Sequence, residues 1–356
     1  MKHFFCFIFV LCLFSCKKEA KVYESTPYSL NIPSHFPNMT IPQDNPMTVE
    51  GVYLGRKLFY ETRLSLDNSI SCASCHSPSK GFSDDRKLSI GVNGAIGRRQ
   101  SMALVNLGWQ QFFFWDGRAK TLEEQILQPV PDPVEMHLQW KQAQYRLEND
   151  LEYKRLFLKA FGTQIIDSNY VSKALAQFLR TMISGNSKYD VMYKYINNMT
   201  LTTAENQIYQ SITMEEWAGY DLFQSMNGAD CFHCHNGPLI QVHNFSNNGL
   251  DAVFSDLGRG EVTGKPSDFG TFKIPTLRNI EYTAPYMHDG RFNTLDEVIN
   301  HYSHNVKVSS TIDPMMEFAF QGGVQLNGNE KALLKIFLLT MTDHSFFNNP
   351  NFSNPN

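Results

Sequence analysis

The chain has 356 residues, enough for about two domains on a prior of ~150 residues each. Hydrophobic residues make up 42% and charged residues 19%, so the chain can bury a core and is not intrinsically disordered. The formal net charge of −4 excludes a bare nucleic-acid-binding protein, because phosphate contacts need a concentrated basic face. The sequence also has no apolar run of about 18 residues, which excludes a conventional transmembrane helix.

The N-terminus predicts an export signal. A short basic start is followed by an apolar segment, Phe4 to Phe14, which is too short to cross a bilayer. Leu13-Phe14-Ser15-Cys16 resembles a bacterial lipobox. We therefore predict a lipoprotein-type signal peptide over residues 1–16, a lipid on Cys16 as the only membrane contact, and a periplasmic location in the bacterial cell envelope. A plain cleaved signal is the alternative.

Hydrophobic spacing predicts a mainly helical chain. Apolar residues recur every three or four positions in segments 47–60, 140–161, 168–184, 213–225, 294–303 and 328–342. Asn327 followed by Glu330 predicts a capping box at the start of the last helix.

Two segments predict loops. Pro129, Pro131 and Pro133 must end the short helix that follows Thr121 and force extended chain through Glu135. The stretch 249–275 is rich in Gly, Ser and Asp and predicts a long loop.

The remaining cysteines form two similar motifs. Of seven cysteines, Cys6 and Cys12 leave with the signal and Cys16 would carry lipid, which leaves four. They occur as Cys72-Ala73-Ser74-Cys75-His76 and Cys231-Phe232-His233-Cys234-His235. C-x-x-C-H is the attachment pattern of c-type haem: the two thiols reach the porphyrin vinyl groups and the histidine binds iron.

Other uses of these cysteines explain the pattern less well. A Cys₄ zinc ribbon would need the two pairs about 15–20 residues apart. Two disulfides, or a thioredoxin-like redox motif, would leave the histidine after each pair unexplained. We therefore predict two covalent c-type haems, with His76 and His235 as the proximal iron ligands.

The sequence contains an internal duplication. Asn106 precedes Trp115-Asp116-Gly117-Arg118 by the same distance as Asn279 precedes His288-Asp289-Gly290-Arg291. One haem motif precedes each copy, which predicts two tandem cytochrome-like modules. We divide the chain into a linker (17–45), a first haem domain (46–208), a second haem domain (209–345) and a C-terminal tail (346–356).

Further motifs closely resemble the bacterial di-haem cytochrome c peroxidase and MauG family. Between Gly51 and Asp343 they comprise Leu54-Gly55-Arg56-Lys57-Leu58-Phe59, Phe114-Trp115-Asp116-Gly117-Arg118, Pro133-Val134-Glu135-Met136, Ile274-Pro275-Thr276-Leu277-Arg278-Asn279 and Ala284-Pro285-Tyr286-Met287-His288. The resemblance implies a mainly α fold of two cytochrome c-like domains. It implies a peroxidatic haem in the first and an electron-transfer haem in the second. The implied partners are hydrogen peroxide and a small electron donor such as cytochrome c, and a homodimer is left open.

The resemblance also assigns three site residues. Trp115 would lie between the haems, and Gln125 and Glu135 would line the peroxide pocket. A positioned carboxyl can move a proton between the two peroxide oxygens, and an amide can hold peroxide without adding charge. Without the resemblance, Glu135 would be interpreted as a solvated loop carboxylate and Trp115 as a core aromatic residue.

One departure from the family affects the first haem. Val92 stands where peroxidases that need reductive activation carry a distal histidine, and no histidine occurs between His76 and His137. We therefore predict a permanently five-coordinate first haem with an open face, as in MauG.

A second departure affects the other haem. The peroxidases have a methionine as the sixth ligand of this haem. At that position this chain has Tyr302, and MauG also has a tyrosine. Met287 and His301 are competing candidates for the sixth ligand. Tyr302 could then be an ordinary packed aromatic residue. Methionine raises a haem potential, whereas a phenolate should lower it.

A third departure concerns calcium. The family binds one calcium ion between the domains through an asparagine and carbonyls of a Thr-x-Pro. Thr283 and Pro285 are present, but Gln100 replaces the asparagine. Oxygen ligation by these residues stays open.

Three functions are compatible with these features. The first is a di-haem peroxidase that reduces hydrogen peroxide to water with electrons that enter through the second haem. The second is a MauG-like oxidase that uses peroxide to oxidise a protein or organic substrate. The third is a non-catalytic electron-transfer cytochrome of the envelope, which would have no need of an open first haem, Gln125 or Glu135.

Overall fold

The computed structural model describes residues 24–355, so the predicted signal peptide and Cys16 lie outside the described residues. The described chain is mainly helical, as predicted. Its helices are Val49–Phe59 (α1), Cys72–Cys75 (α2), Leu122–Ile126 (α3), Trp140–Glu148 (α4), Leu151–Phe161 (α5), Ser168–Arg180 (α6), Lys188–Ile196 (α7), Thr203–Gln210 (α8), Met214–Gln224 (α9), Gly260–Thr263 (α10), Leu295–His304 (α11), Gly328–Leu339 (α12) and His344–Phe347 (α13).

The prediction of a single helix over residues 140–161 is wrong. The segment 140–161 forms two helices, α4 and α5, with a break at Asn149 and Asp150. Asp150 caps α5, because its carboxylate accepts a hydrogen bond from the backbone N–H of Glu152 at 2.8 Å. An aspartate that caps a new helix competes with continuation of the old one. The helix predicted over 168–184 ends earlier, at Arg180, and α7 and α8 were not predicted.

The predicted capping box is confirmed. The Asn327 side chain accepts from the Glu330 N–H at 3.0 Å, and the Glu330 carboxylate accepts from the Asn327 N–H at 2.8 Å. The proline-rich segment also behaves as predicted, since α3 ends at Ile126, before Pro129.

The predicted long loop over 249–275 contains two short elements. One is α10, and the other is β2, Phe272–Lys273, which pairs antiparallel with β1, Phe245–Ser246. This pairing brings Lys273 opposite Phe245, and the backbone N–H of Lys273 donates to the Trp115 carbonyl in the first half of the chain.

Two main hydrophobic clusters form the core. In the first, α1 packs on α6, with Leu54, Leu58 and Phe178 almost fully buried. In the second, α9 packs on α12 through Phe223 and Phe337. Each cluster lies against one C-x-x-C-H motif: Cys72 packs on the first and Cys231 on the second.

A third, smaller cluster joins the N-terminal segment to both halves. It contains Phe36 and Met39 from that segment, Trp109 and Leu239. Within residues 24–355, every helix is too short or too polar to span a bilayer. The division at residues 208 and 209 stays a prediction.

Candidate functional site

One cavity of about 640 Å³ brings the two sequence motifs together. It is lined by both C-x-x-C-H motifs and by residues from both halves of the chain. Most of the lining is apolar, as is usual for a cofactor pocket. The predicted site residues that line it are Cys72, Cys75, His76, Gln100, Trp115, Gln125, Glu135, Cys231, Cys234, His235, Thr283, Pro285, Met287 and Tyr302.

The first motif is held on the short helix α2. The Ser71 N–H donates to the Ser74 hydroxyl at 3.0 Å and closes the first turn. His76 follows the helix, and its Nδ1 lies 2.9 Å from the Phe82 carbonyl oxygen. A carbonyl can only accept, so Nδ1 carries the proton and Nε2 keeps the lone pair that a metal ligand needs. Burial lowers the pKa of His76 and keeps the ring neutral.

The second motif lies in a turn beside the other core cluster. The backbone N–H of His235 donates to the Cys231 carbonyl at 3.0 Å, which closes the turn of the motif. Burial lowers the pKa of His235 to about 4. Its buried Nδ1 has no hydrogen-bond partner of normal geometry in the described part of the chain. The low pKa keeps the ring neutral, which is the form of imidazole that can bind a metal.

The donor set fits two c-type haems. The four motif cysteines form no disulfide in residues 24–355, and burial raises the pKa of Cys72 and Cys231 to about 12. The thiols are free to form thioether bonds, and no group of three or more His, Cys, Asp or Glu side chains within residues 24–355 is placed to hold a metal ion. Each motif therefore presents two thiols and one neutral imidazole to the cavity.

Glu135 is a half-buried carboxyl on the cavity wall. Burial, together with repulsion from Asp132, raises its pKa to about 6 despite the opposing charges of Arg118 and Arg98. The backbone carbonyl of Glu135 accepts a hydrogen bond from the Val92 backbone N–H at 2.9 Å, which holds the Glu135 backbone against the segment that contains Val92. A side chain on Gly91 would collide with the carbonyl oxygens of Val134 and Glu135, so this close approach requires glycine.

Gln125 lies on the same cavity, on α3. Thr121 caps this helix by accepting from the Glu124 N–H at 3.1 Å, which fixes the position of the following turn. The structure thus places the amide and the carboxyl predicted for the peroxide pocket on the wall of one cavity.

Trp115 connects the two halves of the chain. Its indole N–H donates to the Gln100 carbonyl at 2.8 Å, and its own carbonyl accepts from the Lys273 N–H at 2.7 Å. The side chain lines the cavity that holds both motifs. A position of Trp115 between two haems stays a prediction.

Val92 is 2% exposed and is not part of the cavity wall, whereas Gly91 is. The histidines that line the cavity, among the described residues, are His76, His235 and His288. The His288 ring is stacked on Phe272, with 3.7 Å between ring centroids. A first haem without a distal histidine stays a prediction.

The predicted sixth-ligand candidates meet at Asn248. The Asn248 amide donates to the Tyr302 hydroxyl at 3.0 Å and lies 3.5 Å from the Met287 sulfur. Burial raises the pKa of Tyr302 to about 12. Both Tyr302 and Met287 line the cavity, whereas His301 lies outside it and donates from Nε2 to the Asn248 carbonyl at 3.1 Å.

The residues of the predicted calcium site lie on the same cavity. The buried Gln100 amide donates to the Ser83 hydroxyl at 2.9 Å, so its NH₂ group is turned toward Ser83. Calcium ligation by Gln100, Thr283 and Pro285 stays a prediction.

Arg99 and Lys273 are charged cavity residues that were not predicted from the sequence. Arg99 makes a paired interaction with Asp256, at 2.8 Å for both contacts, and a further one with Asp116 at 2.5 Å. Lys273 lines the cavity and is buried. The only sequence signal for Lys273 is a single charge within the apolar run from Phe272 to Pro275.

Fold and site together define a mainly helical protein of the cytochrome c-like class, with two C-x-x-C-H motifs on one cavity. A family model described as di-haem cytochrome c peroxidase matches residues 49–198. The methylamine utilization protein MauG of Methylophilus methylotrophus is 33% identical over 304 residues, which cover 83% of this chain and 86% of that protein. The cytochrome c551 peroxidase of Nitrosomonas europaea is 34% identical over 258 residues, which cover 71% of this chain and 73% of that protein.

Solved structures of similar proteins support the same family. A MauG-like protein associated with microbial copper homeostasis superposes with a TM-score of 0.80 at 32% identity, covering 92% of this chain and 99% of that one. The di-haem peroxidase BthA of Burkholderia thailandensis shares the fold, with a TM-score of 0.68 at 19% identity over 87% of this chain and 90% of that one. The chain belongs to the di-haem cytochrome c peroxidase and MauG family, and it is an oxidoreductase.

Proposed function

We propose that this protein reduces hydrogen peroxide to water with two electrons from a small donor such as cytochrome c. One peroxide takes up two electrons and two protons and yields two waters. The observation that carries the proposal is the shared cavity: both haem motifs line it together with a carboxyl of raised pKa and an amide.

The cofactor residues divide between the two halves of the chain. Cys72 and Cys75 would hold the first haem by thioether bonds, with His76 on its iron. Cys231, Cys234 and His235 would do the same for the second. When bound, the two haems supply the redox chemistry, namely peroxide reduction at the first and electron entry at the second.

Glu135 moves the proton. Cleavage of the O–O bond needs a proton taken from one peroxide oxygen and delivered to the oxygen that leaves. A carboxyl with a pKa of about 6 can accept and return a proton near neutral pH. Gln125 orients peroxide or water in the same cavity by donating and accepting hydrogen bonds without adding charge.

Trp115 forms one of the contacts between the modules. Its backbone and indole are fixed from both sides, by Lys273 and by Gln100. A fixed, polarisable indole in the shared cavity is suited to pass electrons between the two haem sites.

A MauG-like oxidase that acts on a protein or organic substrate is the second candidate. The observation that favours it is Tyr302, a hydroxyl on the cavity wall beside the second motif. Oxygen ligation by Tyr302 would lower the second potential and favour storage of oxidising equivalents over electron delivery.

We also propose a periplasmic location, with a lipid anchor on Cys16. The predicted export signal supports the location, and membership of a covalent-haem family agrees with it. Calcium between the domains and a homodimer remain proposals at the level of the family resemblance.

Steady-state peroxide turnover with reduced cytochrome c tests the main proposal. The expected result is rapid donor oxidation by the resting, unreduced enzyme, because the first haem lacks a distal histidine. Resting-state EPR should show a high-spin first haem. A low-spin, bis-histidine first haem, or turnover no faster than that of free haem, would contradict the proposal. Oxidation of an added organic substrate without donor oxidation would favour the MauG-like alternative.

A further inference from the structure

A buried cation lies at the junction of the two halves of the chain. Lys273, on β2, is only 7% exposed and lines the shared cavity. Its backbone N–H donates to the Trp115 carbonyl at 2.7 Å, which fixes the lysine backbone beside Trp115 in the first half of the chain.

This lysine makes no ion pair with a carboxylate in residues 24–355. Its ammonium donates to the side-chain oxygen of Gln110 at 3.3 Å. That oxygen also accepts from the Gln241 amide at 3.0 Å, and the Gln110 amide donates back to Gln241 at 2.6 Å. A long hydrogen bond to a shared, neutral amide does not compensate for the desolvation of a charge.

The other lysine and arginine side chains on the described cavity wall are paired. Arg98 lies 3.5 Å from Asp132, and Arg118 lies 3.0 Å from Asp116. Arg99 is paired with Asp256 at 2.8 Å. Lys273 is therefore the cavity cation that still needs an anion.

The proposed cofactors supply such anions. Each c-type haem carries two propionate carboxylates. We propose that Lys273 binds a haem propionate at the module junction and holds the reduction potential of that haem up. This inference rests on the proposed function, since it requires the two haems, and it adds a cofactor-binding residue outside the C-x-x-C-H motifs.

The charge has a direct consequence for the haem. A cation beside a haem favours the reduced state, which carries one positive charge fewer than the oxidised state. Removal of the cation should therefore shift the balance toward the oxidised state, by about tenfold for a unit charge at a distance of several ångströms in a partly screened site. Burial lowers the pKa of Lys273 to about 8, and a carboxylate partner would reverse that effect.

Spectroelectrochemical titration of both haems in the holoprotein tests the inference. Lys273→Gln should lower the ratio of reduced to oxidised haem at fixed potential by about tenfold for one haem. Lys273→Arg should stay near wild type because it keeps the charge. Lys335→Gln is the matched control, since it removes one lysine from a surface ion pair with Asp296. The haem that responds identifies which propionate is bound.

Equal potentials in Lys273→Gln and Lys335→Gln for both haems would overturn the inference. If Lys273→Gln does not accumulate with two haems, a crystal structure of the wild-type holoprotein decides the matter. Lys273 Nζ within about 4 Å of a propionate oxygen supports the inference, and a larger distance overturns it. Absence of covalent haem from the wild type would instead overturn the proposed function, so the two failures are distinguishable.

Discussion

Arg278 donates two hydrogen bonds to the Asp190 carboxylate, from Nη1 at 3.0 Å and from Nη2 at 2.6 Å. The side chains of Arg278 and Asp190 are 0% and 3% exposed. His35 adds a third contact, with Nε2 2.6 Å from the same carboxylate. The pair therefore joins the N-terminal segment, α7 and the Ile274–Asn279 motif that borders the cavity.

Replacement of Arg278 by methionine should destabilise the holoprotein by about 3–5 kcal/mol, because Asp190 would be left buried without its main partner. Chemical denaturation followed by the Soret band measures the change. Lys335→Met, which breaks an exposed pair, should cost less than about 1 kcal/mol. Equal losses for the two variants would contradict the importance assigned to the buried pair.

The same pair predicts acid sensitivity. Burial alone would raise the pKa of Asp190, but the Arg278 charge and the His35 contact outweigh it and hold that pKa well below the ordinary value of 3.8. The stabilisation is therefore complete above pH 3.8 and is lost as the pH falls through the lower pKa of the folded state. Unfolding free energies measured from pH 5 downward should fall less steeply in Asp190→Asn, which has no carboxyl to titrate.

Glu135→Gln should lower peroxide turnover by about 10²- to 10⁴-fold, because the variant keeps the shape but cannot carry the proton. In the wild type, kcat/KM should rise as the pH passes through about 6, since the carboxylate is the form that accepts the proton. The variant should lose that rise while its haem spectra stay unchanged. Glu124→Gln, outside the cavity on α3, is the control; unchanged turnover in Glu135→Gln would remove the acid–base role.

Tyr302→Phe should change the ligation of the second haem. Met287 lies beside the same Asn248 amide, so its sulfur can replace the lost oxygen, raise the potential and produce the far-red methionine-to-iron band. Near-infrared absorption measures this. Tyr220→Phe, in the second core cluster, should leave the spectrum unchanged. A wild-type protein that already shows the band would make Met287 the ligand.

Arg99→Met should cost about 3 kcal/mol, because it leaves Asp256 and the buried Asp116 short of a shared cation. Arg99→Lys should recover only part of this, since an ammonium cannot reproduce the two parallel contacts to Asp256. Thermal unfolding of the two variants at low and high salt provides the comparison. If Arg99→Lys is as stable as the wild type, only the charge matters; if it is no more stable than Arg99→Met, the charge contributes nothing.

Several features were predictable because their signals are local. The C-x-x-C-H motifs, the capping box at Asn327 and the apolar periodicity of α1, α9, α11 and α12 each fit within a short window of sequence. The break between α4 and α5 was also local, but the apolar period continues across it and masked the cap at Asp150. The family motifs extended the prediction to Trp115, Gln125 and Glu135, and the structure places all three on one cavity wall.

The sequence alone determined that this chain carries two haem-attachment motifs on a mainly helical, duplicated framework. Only the tertiary structure decided which charges are satisfied. Arg99 forms an ion pair with Asp256, and Arg278 forms one with Asp190, although the partners are far apart in sequence. Lys273 lines the cavity without an ion pair to a carboxylate in the described residues. The burial and pairing of a charge depend on which distant segments pack around it, and no spacing along the chain encodes that.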